Sequence, residues 1–281
     1  MSRRFRSAPA WAGALLLSMY GLPSSAQAPA AEAPAPNPGW PLYRHTGEQY
    51  RVYDFPGTGE AMPYRLFVPE SWSPGRHLPM LVTLRAGTSV NNNYREGNDL
   101  VRVAAERGYI VVTPLGYRPY RQPYYNSPYP IARQPKPSVP GDGWTREEDE
   151  RAERDVMYVI DLVAEEYGVD TSRIYIHGQN PSASGAMHLI EKFPDRFAAA
   201  VISSGPIVAN AYPFEKIRGK VALLIIHGES DAVNPIAASR TLAQTAVAAG
   251  VEASFATVPG GTHLTAYLDY ADEIYDFLDA H

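Results

Sequence analysis

Three polar clusters stand where apolar runs of this sequence end, and their residue types are those used to move protons and attack carbonyl groups. RIYIHG is followed by Gln179-Asn180-Pro181, with the hydroxyls of Ser182 and Ser184 just beyond. VALLIIHG is followed by Glu229-Ser230-Asp231. The last apolar run ends in VPGGTHL, which carries His263 in a Gly-rich turn. Histidine and carboxylate are the usual groups for general acid–base work. Covalent catalysis needs in addition a hydroxyl, a thiol or a comparable nucleophile. The chain has no cysteine, and the first cluster places a carboxamide, at Asn180, ahead of its two serines.

These clusters meet only if the runs before them are strands of one sheet that end on the same side. From about Gly47 onward strand and helix patterns alternate. YRVYD and MPYRLFV read as opening strands, and PMLVTL and YIVVTP as continuous apolar runs of the kind buried on both faces. Between the latter two, Asn98 to Arg107 has helical spacing and is closed by Gly108. A long helix is expected from Thr145, where T-R-E-E makes a capping box with Glu148. Its core stripe is Val156, Val159, Ile160 and Val163. The strand RIYIHG, a helix to about Lys192, and the strands AAAVISSG and VALLIIHG follow. Pro235 opens a helix stopped by Gly250, EASFATV is the last strand, and Leu264 to Ala280 is the expected final helix. Such alternation predicts an α/β fold, a mostly parallel sheet flanked by helices on both faces. Ligands on such sheets bind at the C-terminal strand ends, where the three clusters lie. The stretch from Gly116 to Asp142 breaks the pattern. It is rich in proline and tyrosine (Tyr117, Tyr120, Tyr124, Tyr125 and Tyr129) and reads as a structured rim over the site.

The segments RIYIHG-Q-N, FPDRFAAAVISSG, LLIIHGESDAVNP and PGGTHL, in that order, resemble the secreted α/β-hydrolase-fold esterases. The resemblance is to the polyhydroxybutyrate depolymerase and feruloyl-esterase-like group, and it runs from about Glu48 to the C-terminus. It implies the α/β-hydrolase fold and carboxylic ester hydrolysis, with the chain order nucleophile, acid, histidine. On that basis Asp231 matches the acid that orients an imidazole, and His263 matches the general base. His177 and His227 end core strands beside these motifs and read as packing or supporting residues.

The sequence departs from the family pattern at three places. Counted from Gly178, the serine of G-x-S-x-G is replaced by Asn180, which has no nucleophilic oxygen to activate. The next residue, Pro181, has no backbone N–H, and that N–H is one oxyanion donor in this family. After PMLVTL, where relatives carry His-Gly before a Gly-rich oxyanion loop, the chain has Arg85, Ala86, Gly87 and Thr88. Two readings follow. One is a pseudoenzyme that keeps a ligand cleft, Asp231 and His263 without serine hydrolysis. The other is an active carboxylesterase or polyester depolymerase with a shifted nucleophile, Ser182 or Ser184, although both fall within the first turns of a helix. Water attack assisted by His263 and Asp231 is a third chemistry for which the sequence carries no specific sign. No cofactor is expected, and the histidines and acids show no metal-ligand spacing.

Composition bounds the partners. With 45% hydrophobic and 20% charged residues the balance is that of a globular domain. A net charge of −5 without a basic run argues against nucleic acid. SRRFR, AWAGALLLSMYGL and SSAQA form the three regions of a signal peptide over residues 1–26, cut after Ala26. Its apolar run is shorter than the about 20 residues a membrane span needs, so no span is expected after cleavage. Cleavage removes three arginines and no acid. Residues 27–46 read as a Pro/Ala-rich linker, and 47–281 as the α/β-hydrolase domain. The chain is expected in the periplasm or the medium, with a small-molecule or polymer ester as its ligand. Without cysteine, its stability there rests on the core rather than on disulfides.

Overall fold

The computed structural model describes residues 44–84, 99–116, 146–207 and 209–281. The expected leader, the linker up to residue 43, the loop residues Arg85, Ala86 and Gly87, and the Tyr-rich stretch beyond Gly116 lie outside the described residues, as does Thr145.

Among the described residues eight strands form one sheet: β1 (Gly47–Asp54), β2 (Ala61–Val68), β3 (Met80–Leu84), β4 (Ile110–Thr113), β5 (Ile174–Gln179), β6 (Ala199–Ser203), β7 (Ala222–Gly228) and β8 (Ala253–Val258). Their spatial order is β1-β2-β4-β3-β5-β6-β7-β8. The β1–β2 and β2–β4 pairs are antiparallel and every other pair is parallel. Among the described residues five α-helices accompany the sheet: α1 (Asp99–Arg107), α2 (Arg146–Tyr167), α3 (Pro181–Lys192), α4 (Ile236–Ala248) and α5 (Ala271–Asp279).

The period of two in the strands divides the core into two layers. Met80, Val82 and Leu84 of β3, Ile174 and Ile176 of β5, and Leu223 and Ile225 of β7 face α2, α3 and α4. Leu81, Tyr175, Leu224 and Ile226 from the same strands face α1 and α5. Both faces are thus apolar, which is why these runs are unbroken in the sequence. On α2 the buried stripe is Val156, Val159, Ile160 and Val163, as helical spacing predicts.

Strand order also explains which helix covers which face. The chain leaves β3 in one direction, through α1 to β4, and then crosses back through α2 to β5 on the other side of β3. Right-handed crossovers in opposite directions place their helices on opposite faces, as the two core layers show. The reversal falls between β3 and β5, so the C-terminal end of β5 lies at the switch point where such sheets bind ligands.

The final helix is shorter than its apolar pattern suggests, with α5 starting at Ala271 rather than Leu264. Residues 262–270 make successive turns instead. The Thr262 backbone N–H donates to Thr265 Oγ1 at 3.1 Å, and the N–H groups of Leu268 and Asp269 both donate to the Thr265 carbonyl. Threonine hydroxyls that bond nearby backbone offer it an alternative to the helix, and here the alternative prevails.

Ile160 is fully buried in the larger layer. Ile160→Ala is expected to cost about 2–5 kcal/mol, read as a lower midpoint in chemical denaturation with the slope unchanged.

Candidate active site

The end of β5 turns into α3 through Asn180, whose backbone sits at φ 55 and ψ −121. A positive φ is uncommon outside glycine, and asparagine tolerates it better than most residues. Two contacts hold the turn: the Asn180 N–H donates to Ser203 O at 2.9 Å, and the Ala183 N–H donates to Asn180 O at 3.1 Å. The turn is tight because α3 presses on the strand. A Cβ on Gly178 would lie 2.3 Å from the Ser182 carbonyl oxygen, so only glycine fits there. Pro181 takes the first helical position, where its fixed φ suits the helix and its missing N–H costs no helical bond.

Asp231 follows β7 and His263 follows β8, and the structure brings the two together. His263 Nδ1 lies 2.9 Å from Asp231 Oδ2. A carboxylate only accepts, so Nδ1 carries the hydrogen and Nε2 is left with its lone pair. The two loops approach closely because Gly228 has no side chain. A Cβ there would stand 2.2 Å from the Gly261 carbonyl oxygen. The Asp231 side chain is fully buried, and its Oδ1 accepts the backbone N–H groups of Val233 at 2.8 Å and Asn234 at 2.9 Å. Burial raises the Asp231 pKa, but the Asn234 N–H, the His263 imidazole and the Val233 N–H outweigh it. The carboxyl is held below its ordinary value and stays ionised.

His227 stands behind this pair. Its Nε2 is 3.1 Å from the Asn234 carbonyl and 3.1 Å from Asp231 Oδ2, and its Nδ1 is 2.8 Å from Ser239 Oγ. The carbonyl fixes the hydrogen on Nε2, and Ser239 then donates to Nδ1. His227 therefore steadies the acid loop, the supporting role its place in the sequence suggested. His177 is buried at the end of β5, bonded through Nε2 to Ser203 Oγ at 2.9 Å and set against the Tyr267 ring at 5.1 Å. Burial pushes its pKa down to about 3, so it is neutral at physiological pH.

Sequence reasoning missed Asn234, Gln179 and Ser204 as parts of this site. Asn234 Nδ2 donates to Ser204 O at 2.6 Å and to Asn180 Oδ1 at 3.2 Å. The Ser204 carbonyl only accepts, which fixes the Asn234 amide and, through it, the Asn180 amide. Asn180 thus turns its Oδ1 toward Asn234 and directs its Nδ2 elsewhere. Gln179 Nε2 donates to the His263 carbonyl at 2.5 Å, closing a ring of contacts through residues 180, 234, 231, 263 and 179. Ser204 has φ 48, and its buried hydroxyl has no partner among the described residues. The same holds for His263 Nε2. In the sequence, Asn234 stands only as the residue before Pro235, which opens a helix.

Ser182 and Ser184 are not part of that ring. Both lie within α3, with 0% and 2% of their surface exposed. Among the described residues no group of three histidines and acids is disposed to hold a metal ion, and no helix is long and apolar enough to cross a membrane.

The Esterase family model matches residues 56–267. Among curated proteins, the bifunctional acetylxylan esterase/xylanase XynS20E of Neocallimastix patriciarum is 24% identical over 179 residues. That match covers 62% of this chain and 22% of the relative, so the chain spans under a quarter of it. Among solved structures, a thermostable esterase superposes with a TM-score of 0.61 at 23% identity, covering 83% of this chain and 62% of that one. The S-formylglutathione hydrolase FrmB of Staphylococcus aureus gives a TM-score of 0.61 at 15% identity, covering 84% of this chain and 99% of that one. At these identities the superpositions speak for the fold.

Two outcomes follow from the geometry. Asn234→Ala removes the donor shared by Ser204 and Asn180 and is expected to lower stability by about 1–3 kcal/mol, measured by denaturant titration. His177 takes up its proton near pH 6.5 when unfolded but only near pH 3 when folded. Its contribution is therefore complete above pH 6.5 and is lost as pH falls toward 3. The unfolding free energy should decline across that window by up to about 1.4 kcal/mol per pH unit from this group, and His177→Gln should flatten the decline.

Proposed function

Because the chain belongs to the Esterase family, we propose that it is an exported, ligand-binding member without serine ester hydrolysis, with Asn180 in the place of the nucleophile. The observation that carries this reading is the strained turn at Asn180, φ 55 and ψ −121, at the end of β5. Strained backbone of this kind marks functional turns, and the residue held there bears a carboxamide. Removing a proton from a carboxamide gives a poor nucleophile, so the acyl-enzyme step has no starting atom.

Two further features support it. Pro181 offers no N–H beside the turn, and loss of one oxyanion donor typically costs about 2.7–4 kcal/mol of transition-state stabilisation. Ser182 and Ser184 are enclosed within α3, with 0% and 2% of their surface exposed. The His263–Asp231 pair is intact at 2.9 Å, so the site keeps a polarised imidazole for a ligand to meet. The ligand is an ester-bearing small molecule or polymer, a class supported by the relative named as an acetylxylan esterase/xylanase. Export, to the periplasm or the medium, rests on the leader-like pattern over residues 1–26.

One experiment addresses both parts. The chain is recovered from the exported fraction of a bacterial host, treated with a fluorophosphonate probe, and read by intact mass and peptide mapping. The expected mass begins at Gln27 and carries no adduct, whereas Asn180→Ser acquires one at the substituted position, beside His263. A stoichiometric adduct on Ser182 or Ser184 of the unaltered chain would defeat the reading in favour of a shifted nucleophile. Retention of the leader in the cytoplasm would defeat the export half alone.

A further inference from the structure

The residues that join His263 to α5 stop just short of being a helix. Leu264, Tyr267, Leu268 and Ala271 fall at i, i+3, i+4 and i+7, and α5 continues the stripe through Ile274 and Leu278. Two helical bonds are already made: the Ala266 N–H donates to Thr262 O at 3.2 Å, and the Asp269 N–H donates to Thr265 O at 2.9 Å. Others are missing. In a helix the N–H groups of Tyr267 and Tyr270 would meet the carbonyls of His263 and Ala266. Among the described residues neither N–H has a backbone partner. The helix α5 accordingly begins after Tyr270, with no side-chain cap.

Besides the threonine bonds described above, two contacts of His263 hold the turns. Its carbonyl accepts Gln179 Nε2 from the end of β5 at 2.5 Å, and its ring is bonded to Asp231 at 2.9 Å. A helical carbonyl lies along its own axis, toward the residue four ahead. The His263 carbonyl is aimed at Gln179 instead of Tyr267.

Leu264 carries the cost of this arrangement. It is 67% exposed, whereas Tyr267, Ala271, Ile274 and Leu278 of the same stripe are buried. Winding the segment would bring Leu264 onto the buried side with Tyr267 and Leu268. Both ends of the segment are fixed. Gly261 O accepts the Ser230 N–H at 2.9 Å, and Ile274 and Leu278 anchor α5 with 0% of their surface exposed. Polar contacts at His263 thus oppose apolar burial and two backbone bonds a few residues on, the kind of competition a bistable element requires.

We propose that residues 262–270 are a two-state element: turns that present His263 on Asp231, or a helix continuous with α5 that withdraws it. In the helical state Tyr267 and Tyr270 gain carbonyl partners, Leu264 leaves the solvent, and Gln179 and Asp231 release His263. A molecule seated against the imidazole favours the turns, and loss of the Gln179 bond favours the helix. The element governs delivery of His263 to the site and is independent of whether the site hydrolyses esters.

The test is NMR relaxation dispersion and amide hydrogen exchange on the isotope-labelled chain. The unaltered protein should show exchange on the μs–ms scale at residues 263–270 and not at Ile274 or Leu278. Its minor-state Cα shifts should lie toward helical values. Gln179→Ala should raise the minor population at least tenfold, slow hydrogen exchange at Tyr267 and Tyr270, and weaken the His263 Nδ1–H signal. Adding Leu264→Gly, which removes the apolar gain and disfavours helix, should reverse all three. His263→Ala severs the ring from Asp231 and places a strong helix former there. It should give the same helical shifts, and it decides the matter if Gln179→Ala does not fold. Turn-like shifts at 263–270 in both variants would overturn the proposal. So would helical shifts in Gln179→Ala with the His263 Nδ1–H signal intact, because the segment would then wind without withdrawing the imidazole.

Discussion

The candidate site depends on the Asp231 carboxylate more than on any other group. Its Oδ1 takes two backbone N–H groups from its own loop, and its Oδ2 takes the His263 ring with His227 alongside. Burying a carboxylate is costly unless it is hydrogen-bonded and paired. This one is buried and ionised because its donors are gathered from two places at once: the loop after β7 and the turn after β8. Removing any of them would leave the others with a less compensated charge. The acid therefore fixes the relative positions of two loops and of Asn234, and through Asn234 the carboxamide of Asn180.

That gathering needs close approach of backbone to backbone, and two glycines permit it. At Gly178 the first turn of α3 rests against β5, and at Gly228 the His263 turn rests against β7. In both places any side chain would meet main-chain atoms rather than a movable neighbour, so the constraint is steric and absolute. The sheet supplies the rest. Its two-sided apolar strands are buried under α2, α3 and α4 on one face and α1 and α5 on the other, and their C-terminal ends hold the three polar clusters in line.

Much of this was legible in the sequence, because a parallel sheet writes itself as unbroken apolar runs with helical stripes between them. The order of Asn180, Asp231 and His263 along the chain, each after an apolar strand, was also legible. The stretch after His263 was not. Its apolar pattern suits a helix, and only the local bonds of Thr262 and Thr265 decide that residues 262–270 make turns first. Asn234 was hidden for a different reason. Its importance comes from a side chain that spans Ser204 and Asn180, residues 30 and 54 positions away, and no short-range pattern records such a contact. The same is true of Ser204, whose positive φ is set by its surroundings and not by its residue type.

The pairing of Asn180 with Pro181 has a consequence for how long the site lasts. Asparagines age mainly when the backbone nitrogen of the following residue attacks the side-chain amide, closing a succinimide and releasing ammonia. That attack needs a nitrogen that bears a hydrogen, and proline has none. The turn thus holds its carboxamide in a form for which the ordinary route of spontaneous deamidation is closed.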